Sequence, residues 1–250
     1  MPQGKSKGGI GETIRTVLYA VAIAVALRTI VYEPFNIPSE SMLPTLWVGD
    51  YLFVAKYAYG YSRHSLPLSL PLIRGRIFER VPERGDVAVF KLPRDGSTDY
   101  IKRIIGLPGD RLQMMNGQLF INANPVGRVR SEDFVYPDRN GNITRYPQYR
   151  ETLSNGVSYS TLDIRVGGDA DDTVVFVVPP GHYFVMGDNR DNSTDSRVAP
   201  SRGGVGFVPA ANLVGRADVL FFSTNGSASI WEFWRWPFAA RFDRFFQAVH

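Results

Sequence analysis

The sequence predicts a mainly β protein: an antiparallel β-sheet catalytic domain with an inserted subdomain rich in β-hairpins, preceded by one N-terminal transmembrane helix. Three observations predict it. Short β-forming runs recur between turn signals, and 24 glycines and 17 prolines in 250 residues favour many short strands over long helices. Asn116-Gly117 joins Arg111–Met115 to the following apolar run at 118–122, a strong two-residue hairpin signal. Thr16 to Leu27 is an uninterrupted run of twelve residues without a charge, continued past Arg28 by Thr29-Ile30-Val31-Tyr32.

That run sets the order of the chain. Residues 1–13 are polar and basic (Lys5 and Lys7 against Glu12) and read as a cytoplasmic N-terminus. Twelve residues are short for a membrane span, but 14–32 is long enough, with Arg15 and Arg28 placed near its ends to reach the interfaces. The Ala-x-Ala triplets Ala20-Val21-Ala22 and Ala24-Val25-Ala26 lie inside the apolar core, not after it, so the segment reads as an uncleaved anchor. A positive N-terminus stays inside, which places the remainder on the outer side of a bacterial inner (plasma) membrane.

Beyond the anchor, residues 33–110 and 173–222 read as the catalytic β domain and 111–172 as the insertion, with Asn140-Gly141 a further turn. Strands are expected at 51–56, 86–91, 100–105, 173–178, 182–186 and 217–222. The stretch 59–84, with Ser65-Leu66-Pro67-Leu68-Ser69-Leu70-Pro71-Leu72, is too apolar for a solvated linker and too rich in proline for a helix; it covers the core or dips into lipid headgroups. Residues 223–250 hold Trp231, Trp234 and Trp236 among phenylalanines and Arg235, Arg241 and Arg244, a mixture that suits either a bilayer surface or packing against the sheet.

Composition narrows the chemistry. At 44% hydrophobic and 21% charged residues the chain can bury a real core. With no cysteine, disulfides, cysteine-bound metals and thiol catalysis are excluded. The net charge of +4 permits an anionic partner, but lysine and arginine are spread along the chain with no basic tract, and no nucleic-acid partner is expected.

In Pro38-Ser39-Glu40-Ser41-Met42-Leu43-Pro44-Thr45 two serines stand two apart between prolines. Proline pushes the residue before it toward extended backbone; if the whole stretch is extended, Ser39 and Ser41 point the same way. One hydroxyl could then attack a carbonyl while the other donates to the oxyanion. An ordinary Pro/Ser turn is the alternative. His64, His182 and His250 have no convincing partners, so the base must be sought elsewhere. In Tyr100-Ile101-Lys102-Arg103-Ile104-Ile105, alternation puts Lys102 on the face of Tyr100 and Ile104. Burial favours its neutral form, and lowering its pKa from about 10.4 to near 7 costs about 4–5 kcal/mol; a snorkelling lysine on an edge strand is the alternative. The polar run Gly187 to Arg197 lacks the glycine and glutamate of a calcium loop. Alone it reads as a surface loop, and beside a lysine it makes sense as an active-site wall.

Together these stretches resemble type I signal peptidase (leader peptidase), the membrane-bound Ser–Lys proteases that remove signal peptides. Ser39 to Leu46 matches the family's serine box, Lys102 to Asp110 its lysine box and Gly187 to Arg197 its third conserved stretch, and the likeness covers most of residues 32–222. The resemblance implies that Ser41 is the nucleophile and Lys102 the general base. It puts the Ser41 N–H and the Ser39 hydroxyl in an oxyanion hole, has Ser193 hydrogen-bond the lysine amine, and makes Asp195 and Arg197 a supporting pair. Phe35, Ile37, Met42, Leu46, Val89 and Ile101 fall where the family lines two shallow pockets for small substrate side chains. Some members have two N-terminal spans, whereas one is visible here. The implied partners are exported preproteins and the lipid bilayer, cut after Ala-x-Ala sites with no metal or organic cofactor. A dedicated single-substrate Ser–Lys peptidase, such as a conjugation-pilin maturation protease, is the alternative enzyme. A membrane-anchored β scaffold is the non-enzyme alternative.

Overall fold

The computed structural model describes residues 10–66, 69–137 and 142–249; Lys5, Lys7, Pro67, Leu68, the Asn140-Gly141 turn and His250 lie outside them. Helix α1, Ile10–Ile30, has 21 residues, about 31 Å at 1.5 Å per residue and close to the thickness of a bilayer's hydrocarbon core. From Gly11 to Ile30 it is apolar enough to span, and no part of it is buried against the protein. It stops two residues short of the expected Tyr32, which already belongs to the first strand.

The catalytic domain is organised by one curled antiparallel sheet of eight strands. In chain order these are β1 (Tyr32–Asn36), β2 (Asp50–Ala55), β3 (Val87–Lys91), β4 (Asp99–Gly106), β5 (His182–Met186), β6 (Val208–Pro209), β7 (Leu213–Ser223) and β8 (Gln247–Ala248). Across the sheet the order is β1-β2-β7-β3-β4-β5-β6, with β8 pairing with β7. Thus β3 and β4 lie centrally, with Ala88 opposite Lys102 and Val87 opposite Arg103. The near-continuous apolar character of β3, buried at Val87, Ala88, Val89 and Phe90, follows from having both faces covered.

Between β4 and β5 the insertion contributes a four-stranded sheet, a three-stranded sheet and a hairpin of Phe134–Pro137 with Ile143–Tyr146. Asn116-Gly117 turns the first hairpin, with Asn116 at φ 48° and Gly117 at φ 73°. Of the strand expected at 173–178 only Phe176–Val177 forms, and it pairs with Leu112 and Arg111 of the insertion. One apolar cluster joins Ile105, Phe184 and Met186 of the main sheet to Leu112, Met114, Leu119 and Tyr159 of the insertion, so the two parts share a core.

The C-terminal segment divides its residues between two surroundings. Arg244 and Arg241 reach back to the buried Asp50 carboxylate at 2.6 and 3.3 Å, and both guanidinium groups lie over the Trp47 ring. Trp236 and Phe245 pack on Phe222, while Trp231, Phe233, Trp234, Phe238, Phe242 and Phe246 stand exposed. Leu70 and Leu72 of the proline-rich stretch are exposed as well and do not cover the core.

Candidate active site

The serine stretch is not extended. Leu43 N–H donates to Glu40 O at 3.1 Å and Leu46 N–H to Met42 O at 2.9 Å, folding residues 40–46 into consecutive turns. The two prolines restrain only the residues before them, and these local hydrogen bonds decide the backbone between. The turn still brings the hydroxyls of Ser39 and Ser41 together, 3.4 Å apart. Ser39 is exposed to the cleft and Ser41 is 92% shielded, at 8% relative exposure.

Strand β4 carries Lys102 to the turn. Its Nζ lies 2.6 Å from Ser41 Oγ and 3.0 Å from the Ile101 carbonyl oxygen, and the residue is only 3% exposed. Burial lowers the ammonium pKa to about 8; the Asp195 and Asp188 carboxylates oppose that shift and keep it from falling further. A neutral amine at this distance can take the hydroxyl proton, and the alkoxide so formed can attack a carbonyl. Both groups line a cleft of about 560 Å³, with Pro38, Ser39, Asp99, Tyr100, Asn192 and Ser193 in its walls. Phe35, Ile37, Met42, Leu46, Val89 and Ile101 meet in one apolar cluster under β1 and the serine turn.

The polar run after β5 is buried at both ends, with only Asn192 and Thr194 exposed between them, so it is a wall of the site more than a surface loop. Asp188, Asn189, Arg190, Asp195 and Arg197 are each at most 6% exposed, and ion pairs with hydrogen bonds replace the lost water. Arg197 donates to both Asp195 oxygens, at 2.9 and 2.8 Å. Burial alone would raise the Asp195 pKa, but Arg197 and the Gly187 N–H outweigh it and hold the carboxyl below its usual range. Asn189 N–H donates to Ser41 O at 3.2 Å, tying this wall to the turn. A Cβ on Gly187 would meet Ser193 Oγ at 2.2 Å and Ser41 O at 2.5 Å, so only glycine lets the wall approach so closely.

One expectation fails here. Ser193 makes no hydrogen bond to Lys102, whose amine is directed at Ser41 and the Ile101 carbonyl. Ser193 Oγ is shut from solvent and makes no close hydrogen bond.

Sequence reading missed several groups that brace the site. Arg103 forms a two-pronged pair with Asp188, and Thr45 Oγ1 donates to the same carboxylate at 2.6 Å. Arg190 pairs with Glu151 of the insertion at 2.7 and 2.6 Å. The sequence shows these residues as charged or polar, but nothing local says with what they pair. Asp163, Asp171 and Asp191 bring one oxygen each within 4.8 Å of one another, and Arg128 and backbone N–H groups already satisfy them.

Fold and cleft together define a class: a helix-tethered β domain whose serine hydroxyl and buried lysine amine are placed for acyl-transfer chemistry. Residues 10–222 match the family model described as signal peptidase, peptidase S26, and the chain belongs to that family. It is 39% identical over 229 residues to a signal peptidase I of Rickettsia typhi, spanning 88% of this chain and 83% of the relative. It is 42% identical over 215 residues to that of Rickettsia conorii, spanning 83% and 77%. A crystal structure of a signal peptidase I from Enterococcus faecalis V583 is 27% identical, over 55% of this chain and 97% of that one, with a TM-score of 0.31.

Proposed function

We propose that this chain is a membrane-anchored endopeptidase that removes N-terminal signal peptides from exported preproteins, with Ser41 as nucleophile and Lys102 as general base. The single observation that carries the assignment is the 2.6 Å approach of Lys102 Nζ to Ser41 Oγ, with both residues buried. Lys102 takes the Ser41 proton as the hydroxyl attacks the carbonyl carbon of the substrate's small −1 residue. The Ser41 N–H and Ser39 Oγ then donate to the oxyanion, where each donor contributes about 3–4 kcal/mol in comparable sites. The protonated lysine gives its proton to the leaving amine, and water later deacylates the serine with Lys102 again as base. The cluster of Phe35, Ile37, Met42, Leu46, Val89 and Ile101 receives the small −1 and −3 side chains. Asp195 and Arg197 hold the wall that faces the lysine.

The chain sits in the inner membrane with its N-terminus inside; Lys5, Lys7 and Arg15 before the apolar run support that orientation. Its domain rests on the bilayer through aromatic residues. Tyr57, Tyr32, Phe53, Phe221, Tyr51 and Phe222 follow one another at 4.2–6.3 Å between ring centres, from the end of α1 to the C-terminal aromatics. Amphipathic rings beside arginines suit the headgroup zone.

The test is cleavage of a preprotein with an Ala-x-Ala site by the detergent-purified chain, beside Ser41→Ala and Lys102→Ala. Only the unmodified chain should release mature protein. Activity in either variant would overturn the pair. An unmodified chain inert on several preproteins in lipid would favour a dedicated single substrate.

A further inference from the structure

The Ser41 N–H assigned above to the oxyanion hole shares its peptide group with the Glu40 carbonyl. A trans peptide is planar, with C=O and N–H on opposite sides, so whatever fixes the direction of the carbonyl fixes that of the N–H. Glu40 O accepts from two donors: the Leu43 N–H at 3.1 Å, within the turn, and Asn189 Nδ2 at 3.1 Å, from the wall after β5. The Asn189 N–H donates in addition to Ser41 O at 3.2 Å. One residue thus holds both peptide groups that flank the Ser41 Cα. The Ser41 N–H points away from Asn189, and among the described residues no group accepts from it.

We infer that Asn189 is a positioning residue for the oxyanion hole, aiming the Ser41 N–H by holding the Glu40 carbonyl on the opposite side. The inference rests on the peptidase reading above. Without the Asn189 side chain only the Leu43 N–H restrains that carbonyl, and the peptide between Glu40 and Ser41 gains freedom to turn. Each such turn withdraws the N–H and presents a carbonyl oxygen to the developing negative charge, a repulsion felt most in the transition state.

The surroundings of Asn189 suit that task. At 1% exposure it has no surface to offer a substrate, so it acts only through the turn. Its backbone forms a bridge to Leu162, the last residue of the insertion strand Ser158–Leu162. There the Leu162 N–H donates to Asp188 O at 2.9 Å and the Arg190 N–H to Leu162 O at 2.8 Å. Leu162 shares an apolar cluster with Leu43, so both donors to the Glu40 carbonyl are backed by one contact between insertion and turn. Asn189 Oδ1 is buried without a hydrogen-bond partner, a cost that a leucine of similar shape would avoid if packing were the only need. The Nδ2 donor accounts for the amide. Turned over, Oδ1 would face Glu40 O, acceptor against acceptor.

The test compares the full chain in lipid with Asn189→Leu, which keeps the branched shape without the donor, and Asn189→Ala. Each is given a preprotein with an Ala-x-Ala site and a peptide aldehyde ending in the same residues. Ser41 Oγ adds to the aldehyde carbon, its proton passes to Lys102 Nζ, and the C=O π pair moves to the oxygen, which takes the place of the oxyanion. The inference expects kcat to fall about 10–100-fold, less than for deleting a donor outright because Leu43 keeps its hold. KM should stay within about twofold, and affinity for the aldehyde should fall by about the same factor as kcat. The rising limb of the pH profile should stay where it is, because Ser41 and Lys102 are untouched. An unchanged kcat in folded Asn189→Leu overturns the inference and leaves the peptidase reading intact. So does a loss of kcat with aldehyde affinity kept, or one that moves the rising limb and so belongs to the Ser41–Lys102 pair. If Asn189→Ala does not fold, Asn189→Leu decides; failure of both to fold assigns Asn189 to the fold and overturns the inference. An unmodified chain that neither cleaves the preprotein nor binds the aldehyde overturns both readings.

Discussion

Arg103 and Asp188, 85 residues apart in sequence, meet through two parallel hydrogen bonds of 2.8 and 2.7 Å, with their side chains 0% and 2% exposed. Because Thr45 bonds the same carboxylate and Lys102 precedes Arg103, the pair fastens the serine turn, the lysine strand and the loop after β5 at one point. Removing one partner leaves a charge buried alone. Asp188→Ala should cost about 3–5 kcal/mol in urea unfolding and lower activity. A loss below about 1 kcal/mol would show that the fastening does not depend on the ion pair.

The pH profile follows from the same residues. A lysine works as a base only when neutral, and burial brings the Lys102 pKa to about 8. The rate kcat/KM on a preprotein should therefore rise through an apparent pKa near 8 and level off above it. Asp195→Asn removes a carboxylate that favours the ammonium, so the rising limb should move to lower pH in that variant. An unmoved or upward-shifted limb would contradict this electrostatic account.

Stability gives an independent reading of that lysine. Its folded pKa lies below the ordinary 10.5, so the folded state binds fewer protons between about pH 8 and 10.5, and stability rises with pH across that window. Below pH 8 the buried ammonium is a net cost, on the order of 3 kcal/mol for a shift of this size. Lys102→Met, inactive, should be more stable than the unmodified chain at pH 7, with the gain shrinking toward pH 10.5. Denaturant midpoints at pH 7 and pH 10 check this; a less stable variant at both would refute it.

Ser39 tests the oxyanion hole. Its hydroxyl is exposed to the cleft and bears no core packing, so Ser39→Ala should keep the fold and lower kcat by about 10²–10³. An unchanged kcat would remove Ser39 from the reaction.

The exposed rings of the C-terminal segment test the membrane surface. Trp231→Ser with Phe238→Ser, residues 82% and 90% exposed, should leave unfolding unchanged and slow cleavage of bilayer-embedded preprotein several-fold. Cleavage of a short soluble peptide should be unaffected. Equal loss on both substrates would instead place these rings in the fold.

Local signals were legible where local physics decides. Asn116-Gly117 marked its hairpin because positive φ is needed at both positions. Alternation in β4 set Lys102 apart from Arg103, and both are buried, one toward the serine and one toward Asp188. The serine stretch stays open between extended backbone and a turn in the sequence, because the hydrogen bonds that fold it, from Leu43 and Leu46, leave no mark on composition. Pairings across the chain were invisible for a different reason. Arg190 with Glu151, or Arg244 with Asp50, depends on which strands lie side by side, and a single charged residue carries no address. Ser193 illustrates the limit of transferring a role by motif: the position matches, but the hydroxyl is not directed at the amine.

Helix α1 ends at Ile30 and β1 begins at Tyr32, a junction with no slack. In a bilayer that junction sets the β domain at a fixed height, so enzyme and inserted substrate meet by sideways drift within a shared plane. Copies per unit of membrane area, not per unit of volume, then govern how often they collide, as tethering does for any two linked partners. The two products also part in different directions: the released protein leaves into water while the severed leader stays among the lipids. Their separation makes rejoining rare without any input of energy.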